Sequence, residues 1–564
     1  MRRKLLSAMV VLALALAVWM GVAPQALAQD KPKSGEPFVT VYFGGYDALS
    51  QAISLVGKLG GNPELAKTLE MPLQMILGEE ALGALDKSRP WGVTVATGAQ
   101  PMDFVVQGFL PAKNVKVLVE ALKKANLEAK EDGGVFSLDT PGGEVFVKQA
   151  EGGWAVIANK KESLANVPAD PAKRFGGANE KYLLAVSLVV KNIPEETRQM
   201  VMMPLTFGLE EAKQRRKPGE SDEQVALRNK MLDQVMKQIT TMLKELDAIR
   251  FGLNVDRQTS TAYLDYVLTA LPGTQLAKQM GQAGELKSSF AGLIPSDAAV
   301  SFRLTGKMQP DEIAQAKTMV AGVRTNALGE VEKQGLSEEQ LKQAKQVIGD
   351  LMDVLEKTVD SGTADAAATL RLEAKRSLLV AGGRIAEGAK LEAALKQLIE
   401  AAGKDEPNLA KAIKLNAEDY GGVKFHVLSL PSADLEGGGK EAAMLFGDKV
   451  TAILGIGSDS LYLAVGNEPA GDLKRAIDQA KAEAGKTVPP MEMAVALTPI
   501  LRLASEAAGG EAKGKLGAVL KLLEGSSGKD HVRLSAKVIE NGTQVRLEVE
   551  EGLLKVLGSL PTVQ

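Results

Sequence analysis

The sequence predicts an α+β fold in which antiparallel sheets are covered by amphipathic helices. Three observations support this prediction. An amphipathic helix runs into a β-hairpin at 221–280, the same arrangement returns at 337–398, and weaker hairpin-plus-helix modules occur at 91–122 and 532–557. Together they describe a tandem pseudo-repeat of strand-helix-helix-hairpin-helix units.

The helix of the clearest unit has a strong start signal. Ser221 is followed three residues later by Gln224, the pattern of a capping box. Asp222 and Glu223 occupy the first turn, where the helix dipole favours negative charge. Apolar residues then recur at three- and four-residue spacing, which predicts one buried face. They are Val225, Leu232, Val235, Met236, Ile239, Leu243 and Leu246.

From residue 247 the apolar period changes from 3.6 to 2, which predicts a half-buried hairpin. The apolar positions are Ile249, Phe251, Leu253 and Val255 on the first strand and Ala262, Leu264, Tyr266 and Leu268 on the second. A polar turn at 257–260 joins the strands, and Pro272-Gly273 ends the sheet. A short helix is predicted from Gln275.

The other modules follow the same plan. Ser337 and Gln340 repeat the capping pattern before a helix, a hairpin at 368–381 and a helix at 391–398. In the last module, Asn541-Gly542 is a strong hairpin signal. Each module follows a strand that leads into a helix. These strands are predicted at 38–43, 182–190, 298–304 and 491–497, with helices starting near Tyr46, Pro194, Pro310 and Pro499.

We interpret this order as a tandem duplication of 38–283 into 297–560, with an insertion around 434–443. The alternative is that β-α modules resemble one another by chance. A chain of 564 residues exceeds one ordinary hydrophobic core. We therefore assign residues 37–285 to a first α+β half and 290–564 to a second.

The N-terminus predicts export. Arg2-Arg3-Lys4 precedes an apolar run at 5–23, and Ala26-Leu27-Ala28 has the small-x-small pattern that signal peptidase accepts. Cleavage between Ala28 and Gln29 would leave a signal peptide at 1–28, a polar linker at 29–36 and no membrane span in the mature chain. The chain would then be periplasmic or extracellular. The alternative is an uncleaved anchor, since the run approaches the length of a membrane span.

Composition excludes several classes of function. A net charge of −3 with interspersed acidic and basic residues gives no field that would recruit nucleic acid or anionic lipid. The absence of cysteine removes disulfides, thiolate metal sites and cysteine nucleophiles.

The search for chemistry predicts no catalytic, cofactor-binding or metal-binding residue. We expect His426 on the polar side of its strand and His531 in solvent, neither with a partner. The pairs Glu195-Glu196, Glu210-Glu211 and Glu338-Glu339 are sequence neighbours, so on a helix they diverge and fit solvated faces better than a glycosidase site. Gly485-Lys486-Thr487 lacks the upstream glycine of a phosphate loop and is interpreted as a helix end.

One apolar cluster remains as a candidate ligand site. Thioethers suit irregular cores and also tolerant apolar pockets. Core filling is the first interpretation, and a pocket between this helix pair and the sheet is the second. The pocket residues would be Met200, Met203, Phe207, Met231, Met236 and Met242.

In its layout of signal peptide, Ala-rich cysteine-free chain and long helices alternating with hairpins, the sequence resembles uncharacterised exported bacterial proteins classed as domains of unknown function. The resemblance implies no activity and no site residues. The sequence favours a non-enzymatic binding or scaffold protein of the periplasm or cell envelope, whose partner would be an envelope protein or an apolar ligand. The alternatives are a carrier of an apolar small molecule or lipid and, third, a hydrolase without a recognisable motif.

Overall fold

The computed structural model describes most of the chain after residue 34. The described residues are 35–67, 79–80, 82–98, 103–124, 128–140, 143–165, 167–178, 181–216, 220–281, 285–333, 335–405, 411–435 and 438–560. The predicted signal peptide, the cleavage position between Ala28 and Gln29, and most of the predicted linker lie outside them.

The described strands match the predicted modules and include a four-stranded meander in each half. They are β1 Pro37–Phe43, β2 Trp91–Thr97, β3 Phe104–Pro111, β4 Ala129–Asp132, β5 Val135–Thr140, β6 Gly143–Ala150, β7 Trp154–Ala158, β8 Leu184–Val189, β9 Leu246–Asp256, β10 Thr261–Ala270, β11 Leu286–Ser288, β12 Val300–Lys307, β13 Thr363–Arg371, β14 Leu378–Arg384, β15 Ile413–Tyr420, β16 Val423–Pro431, β17 Lys449–Ile456, β18 Ser460–Gly466, β19 Lys486–Val488, β20 Met491–Ala496, β21 His531–Ile539 and β22 Gly542–Val549.

The helices come in pairs between strands or singly after hairpins. They are α1 Tyr46–Leu59, α2 Val115–Lys124, α3 Glu195–Gln214, α4 Asp222–Glu245, α5 Gln275–Gly281, α6 Pro310–Glu332, α7 Glu338–Asp360, α8 Gly388–Asp405, α9 Gly439–Phe446, α10 Ala470–Glu483, α11 Leu497–Ala507, α12 Gly510–Glu524 and α13 Glu551–Ser559. The α+β prediction is therefore confirmed.

Twenty of the described strands form one antiparallel sheet, in which hydrogen-bonded neighbours run β4-β5-β6-β7-β3-β2-β1-β8-β9-β10-β22-β21-β20-β12-β13-β14-β18-β17-β16-β15. Strands β11 and β19 form a separate pair. Outward from the central pair β10–β22, each direction passes through a hairpin, two single strands, a second hairpin and a four-stranded meander. The two predicted halves thus share one continuous sheet.

Capping, turn and proline residues set several boundaries of helices and strands, at the positions that the sequence predicted. At Ser221 and at Ser337 the hydroxyl accepts from the amide three residues on, while the Gln at that position accepts from the serine amide. Asn541 adopts the left-handed conformation that the tight turn between β21 and β22 requires. Pro310 is the first residue of α6, where its missing amide hydrogen leaves no bond unmade.

The tightly packed cores lie mainly at the two meanders, and one of them reaches the central strands through Ala185 of β8 and Tyr263 of β10. In the first half, α1 and α2 cover one face of the meander with Leu118, Phe136 and Val147. Trp154 and Phe175 centre a second cluster on the other face. In the second half, Phe290 and Leu293 pack with α10 against β13–β18. The helix pair α3/α4 is largely exposed, and Gln238 of α4 donates to Gln315 of α6.

Candidate apolar binding surface

The central strands expose large apolar side chains on one face of the sheet. We call this set the central apolar strip. Its most exposed members retain between 37% and 48% of their accessible surface, although they lie inside β-strands. They are Val186, Phe251, Leu253, Leu264, Leu304, Met493 and Leu547.

Cross-strand pairing makes the strip continuous. Leu253 lies opposite Leu264, which lies opposite Leu547 across the central pair. Leu547 then pairs with Leu534, and Leu534 pairs with Met493. Directly opposed residues on one sheet face contact each other. The strip therefore passes from one half of the chain to the other without interruption.

The strip is long enough to hold an extended ligand. It crosses from β8 to β12, seven neighbouring strands, which at about 4.8 Å per step is roughly 29 Å. Exposed contiguous apolar surface of this extent is uncommon on monomeric proteins and typically marks a ligand groove or an interaction site.

The opposite face of the same strands is polar. Asp265 of β10 is almost fully buried there and accepts from Arg546 of β22 and from the Tyr182 hydroxyl. Arg303 and Glu492 form an ion pair between β12 and β20. Because successive strand residues point to opposite faces, this polarity concentrates the apolar side chains on the strip.

The structure places the predicted methionine cluster on exposed helix surface. Met200, Met203 and Phe207 of α3 are exposed, Phe207 at 69%, and so are Met231 and Met242 of α4, while Met236 is half-buried. Core filling is therefore wrong as an interpretation of these five exposed side chains, each of which retains at least 36% of its accessible surface. The pocket between this helix pair and the sheet stays a prediction. The cluster adds exposed apolar surface to the first half of the chain.

Both histidine expectations were wrong. His531 is largely buried, and its Nδ1 lies 3.0 Å from the Glu550 carboxylate. His426 is buried rather than on a polar surface, and its Nδ1 accepts from the Asn416 amide at 3.3 Å. Burial lowers the pKa of His426, which favours the neutral ring. Alternation along a strand identifies the face on which a side chain lies but not what packs over that face, so the expected exposure was wrong.

A buried carboxylate that the sequence did not reveal lies near His426. Glu392 of α8 accepts from Lys396, one turn along the helix, and from Lys424 of β16. The hydrogen bonds from these lysines lower the pKa of Glu392 to about 2. Both lysine side chains are partly exposed to solvent, whereas Glu392 is buried. We therefore interpret Glu392, Lys396 and Lys424 as a structural ion-pair network.

The other sequence candidates lie on solvated helices or turns. Glu210 pairs with Lys213, and Glu211 pairs with Arg215 on the same helix. Gly485 follows the end of α10, as interpreted, and Lys486 begins β19. Among the described residues, no group of three or more His, Asp or Glu side chains is placed to hold a metal ion.

No helix within the described ranges combines the length and the apolar character needed to cross a membrane. Comparison with known proteins gives no match to a protein-family model, to a curated protein or to a solved structure. The role of the candidate surface therefore has to be inferred from its own geometry.

Sequence reasoning found the side chains of the strip but not their exposure. The alternation at 249–255 and 262–268 identified the apolar face of each strand. Whether a helix covers that face depends on how residues distant in sequence pack, and no local pattern encodes it.

Proposed function

We propose that the chain is an exported, non-enzymatic binding protein of the cell envelope whose ligand is an apolar small molecule or lipid. The observation that carries this proposal is the central apolar strip. Burying one large aliphatic side chain is worth about 1.5 to 3 kcal/mol. A fold that leaves seven such side chains near 40% exposed on adjacent strands forgoes this stabilisation unless another molecule supplies it.

The size of the strip favours a lipid-like ligand. One leaflet of a bilayer's hydrocarbon core is about 15 Å thick, half of the roughly 30 Å core. An acyl chain that spans one leaflet is therefore about 15 Å long. The strip, at roughly 29 Å, is longer than that. A scaffold role, in which an envelope protein covers the strip, is the second candidate, favoured by the additional exposed apolar residues on α3 and α4.

We also infer that the two halves arose by tandem duplication. The matched strand order on either side of β10–β22 supports this inference, as do the repeated capping boxes at Ser221 and Ser337. Strands β9 and β10 of the first half and β21 and β22 of the second then form equivalent parts of the strip. A duplicated origin would explain why the strip extends to both sides of the central pair.

A neutral fluorescent probe tests the binding function. N-phenylnaphthylamine is titrated into the natural chain and into a variant with Leu264→Asn and Leu547→Asn. We expect saturable fluorescence enhancement in the natural chain and at least a tenfold loss of affinity in the variant, since two apolar contacts are replaced by amides. Val267→Asn is the matched control, because Val267 lies on β10 but on the opposite face.

Equal binding by the strip variant and the control would contradict the proposal. Turnover of ester, glycoside or peptide substrates by the purified mature chain would favour the hydrolase alternative instead.

A further inference from the structure

A cavity of about 270 Å³ lies at one end of the strip. Its walls are apolar side chains from α1, from the short helix Pro63–Ala66 and from the ends of β1, β8 and β9. The lining residues include Phe43, Ala52, Val56, Leu184, Leu253 and Val255.

The cavity is continuous with the strip. Leu253 lines the cavity and is also an exposed member of the strip. Its cross-strand neighbour Leu264 lies on the next strand toward the centre. A chain-like molecule that extended from the cavity past Leu253 would therefore next meet Leu264 on β10.

The helix that roofs the cavity is held at both ends. At its start, the Asp47 amide donates to the Lys87 carbonyl. At its end, Gly60 packs backbone to backbone against Gly558 of α13, so closely that neither position has room for a Cβ. Helix α1 thus cannot settle onto the strands to fill the space. Apolar cavities kept open in this way forfeit dispersion contacts and bind apolar guests.

A cation lies just beyond the lining residues of the cavity in sequence, in the exposed turn that follows β9. Arg257 lies two residues beyond Val255, and its guanidinium donates to Gln51, the neighbour of Ala52 on α1. The adjacent Asp256 carboxylate accepts from the amides of Gln258 and Thr259 instead. In the part of the chain that the structure describes, the hydrogen bond of Arg257 is therefore to a neutral amide. Arginine binds carboxylates strongly through its paired donors.

We propose that this cavity binds a single-chain fatty acid, with the carboxylate at Arg257 and the aliphatic chain running through the cavity onto the strip. The inference rests on the proposed function. It adds the class of ligand, the orientation of the ligand in the cavity and the residue that binds its head group. An apolar lining with the Arg257 cation beside it matches an amphiphile that carries one negative charge and one aliphatic chain.

The experiment compares dodecanoate with dodecanol as competitors for N-phenylnaphthylamine on the full chain. We expect dodecanoate to bind more tightly, and Arg257→Gln to weaken dodecanoate about tenfold, as expected for loss of a charge-assisted hydrogen bond, with dodecanol unchanged. Ala52→Phe fills the cavity and should weaken both competitors at least tenfold. Lys58→Phe, on the exposed side of α1, is the matched control and should change neither.

Leu184→Phe fills the same cavity from the sheet and serves where Ala52→Phe fails to fold. Unchanged affinity for both competitors in a folded cavity variant would overturn the cavity as the site. Equal binding of acid and alcohol, with no effect of Arg257→Gln, would overturn the fatty-acid assignment. In either case, loss of probe binding in the Leu264→Asn, Leu547→Asn variant would still support the proposed function, so the two failures are distinguishable.

Discussion

Asp265 and Arg546 form a two-point ion pair across β10 and β22, the strands at which the two halves of the chain meet. The Nε–Oδ1 and Nη2–Oδ2 distances are 2.7 and 2.9 Å. The Tyr182 hydroxyl donates to the same carboxylate at 3.1 Å. Burial, reinforced by Asp265, raises the pKa of Tyr182 to about 12, so the hydroxyl stays a donor across the physiological range. The pair therefore fixes the register of the central strands.

Removing either partner should destabilise the chain unequally. Arg546→Met leaves the Asp265 carboxylate buried without its cation, which should cost about 3 to 5 kcal/mol in the free energy of unfolding. Asp265→Asn leaves a guanidinium that is 34% exposed and can reach water, so its cost should be smaller. Urea unfolding of both variants measures the difference. Equal costs, or a double variant no more stable than Arg546→Met alone, would contradict this interpretation.

The two capping boxes should respond differently to the same substitution. Ser221→Ala and Ser337→Ala each remove a cap worth about 1 kcal/mol. Helix α7 buries Val347 and Val354, so removing its cap at Ser337 should lower the free energy of unfolding of the whole chain. Helix α4 is more exposed, so removing its cap at Ser221 should appear as faster amide hydrogen exchange in the first turns of that helix.

Serine-to-glycine substitutions at the same two positions are the matched controls, because glycine at a cap costs only a few tenths of a kcal/mol. Alanine variants that unfold and exchange like the natural chain would show that the serine hydroxyls contribute nothing.

The Glu392 network should make stability depend on acid pH. The pKa of Glu392 is lowered from about 4.5 in the unfolded chain to about 2 in the folded one. The folded state therefore binds fewer protons, so this contribution is present above pH 4.5 and is lost as the pH falls toward 2.

Glu392→Gln should cost about 2 kcal/mol at neutral pH, through weakened hydrogen bonds to Lys396 and Lys424. The difference from the natural chain should shrink between pH 4.5 and 2 in unfolding measured at several pH values. Glu400→Gln, at an exposed position of the same helix, should show no such convergence. A cost that stays constant across this range would contradict the assigned pKa.

The backbone contact between Gly60 and Gly558 predicts a strong effect of one methyl group. Gly558→Ala would place a Cβ against the backbone of Val56 and should destabilise the chain by about 1 to 3 kcal/mol. Gly517→Ala, in a helix position with open space around it, should instead stabilise by about 0.5 to 1 kcal/mol. Thermal unfolding of both variants tests the contrast, and effects of the same sign would refute it.

Local patterns in the sequence predicted much of this fold. The Ser221 and Ser337 caps and the strand alternations each depend on residues close in sequence, and the structure confirms them. The hairpin predicted at Asn541-Gly542 also forms, but its two-residue turn is Glu540-Asn541, and Gly542 is the first residue of its second strand, β22. The order of strands in one sheet was beyond such local patterns. It depends on pairings such as Asp265 with Arg546, which lie 281 residues apart.

For the same reason, the sequence predicted only part of the candidate site. The apolar side of β9 and β10 follows from alternation, but its exposure depends on where α1, α3 and α4 pack. The clustered methionines of α3 and α4 predicted a pocket next to those helices. The cavity instead lies beneath α1, at Ala52 and Val56. Small residues that leave a space carry no distinctive sequence signal. A packed structure is needed to find them.

Native mass spectrometry of the protein after mild extraction is the decisive test of apolar ligand binding by the central sheet. We expect a mass above that of the polypeptide by one apolar molecule, an excess that persists in Val267→Asn and disappears in the Leu264→Asn, Leu547→Asn variant. A mass equal to the polypeptide alone, together with no uptake of added N-phenylnaphthylamine, would show that this sheet does not bind an apolar ligand.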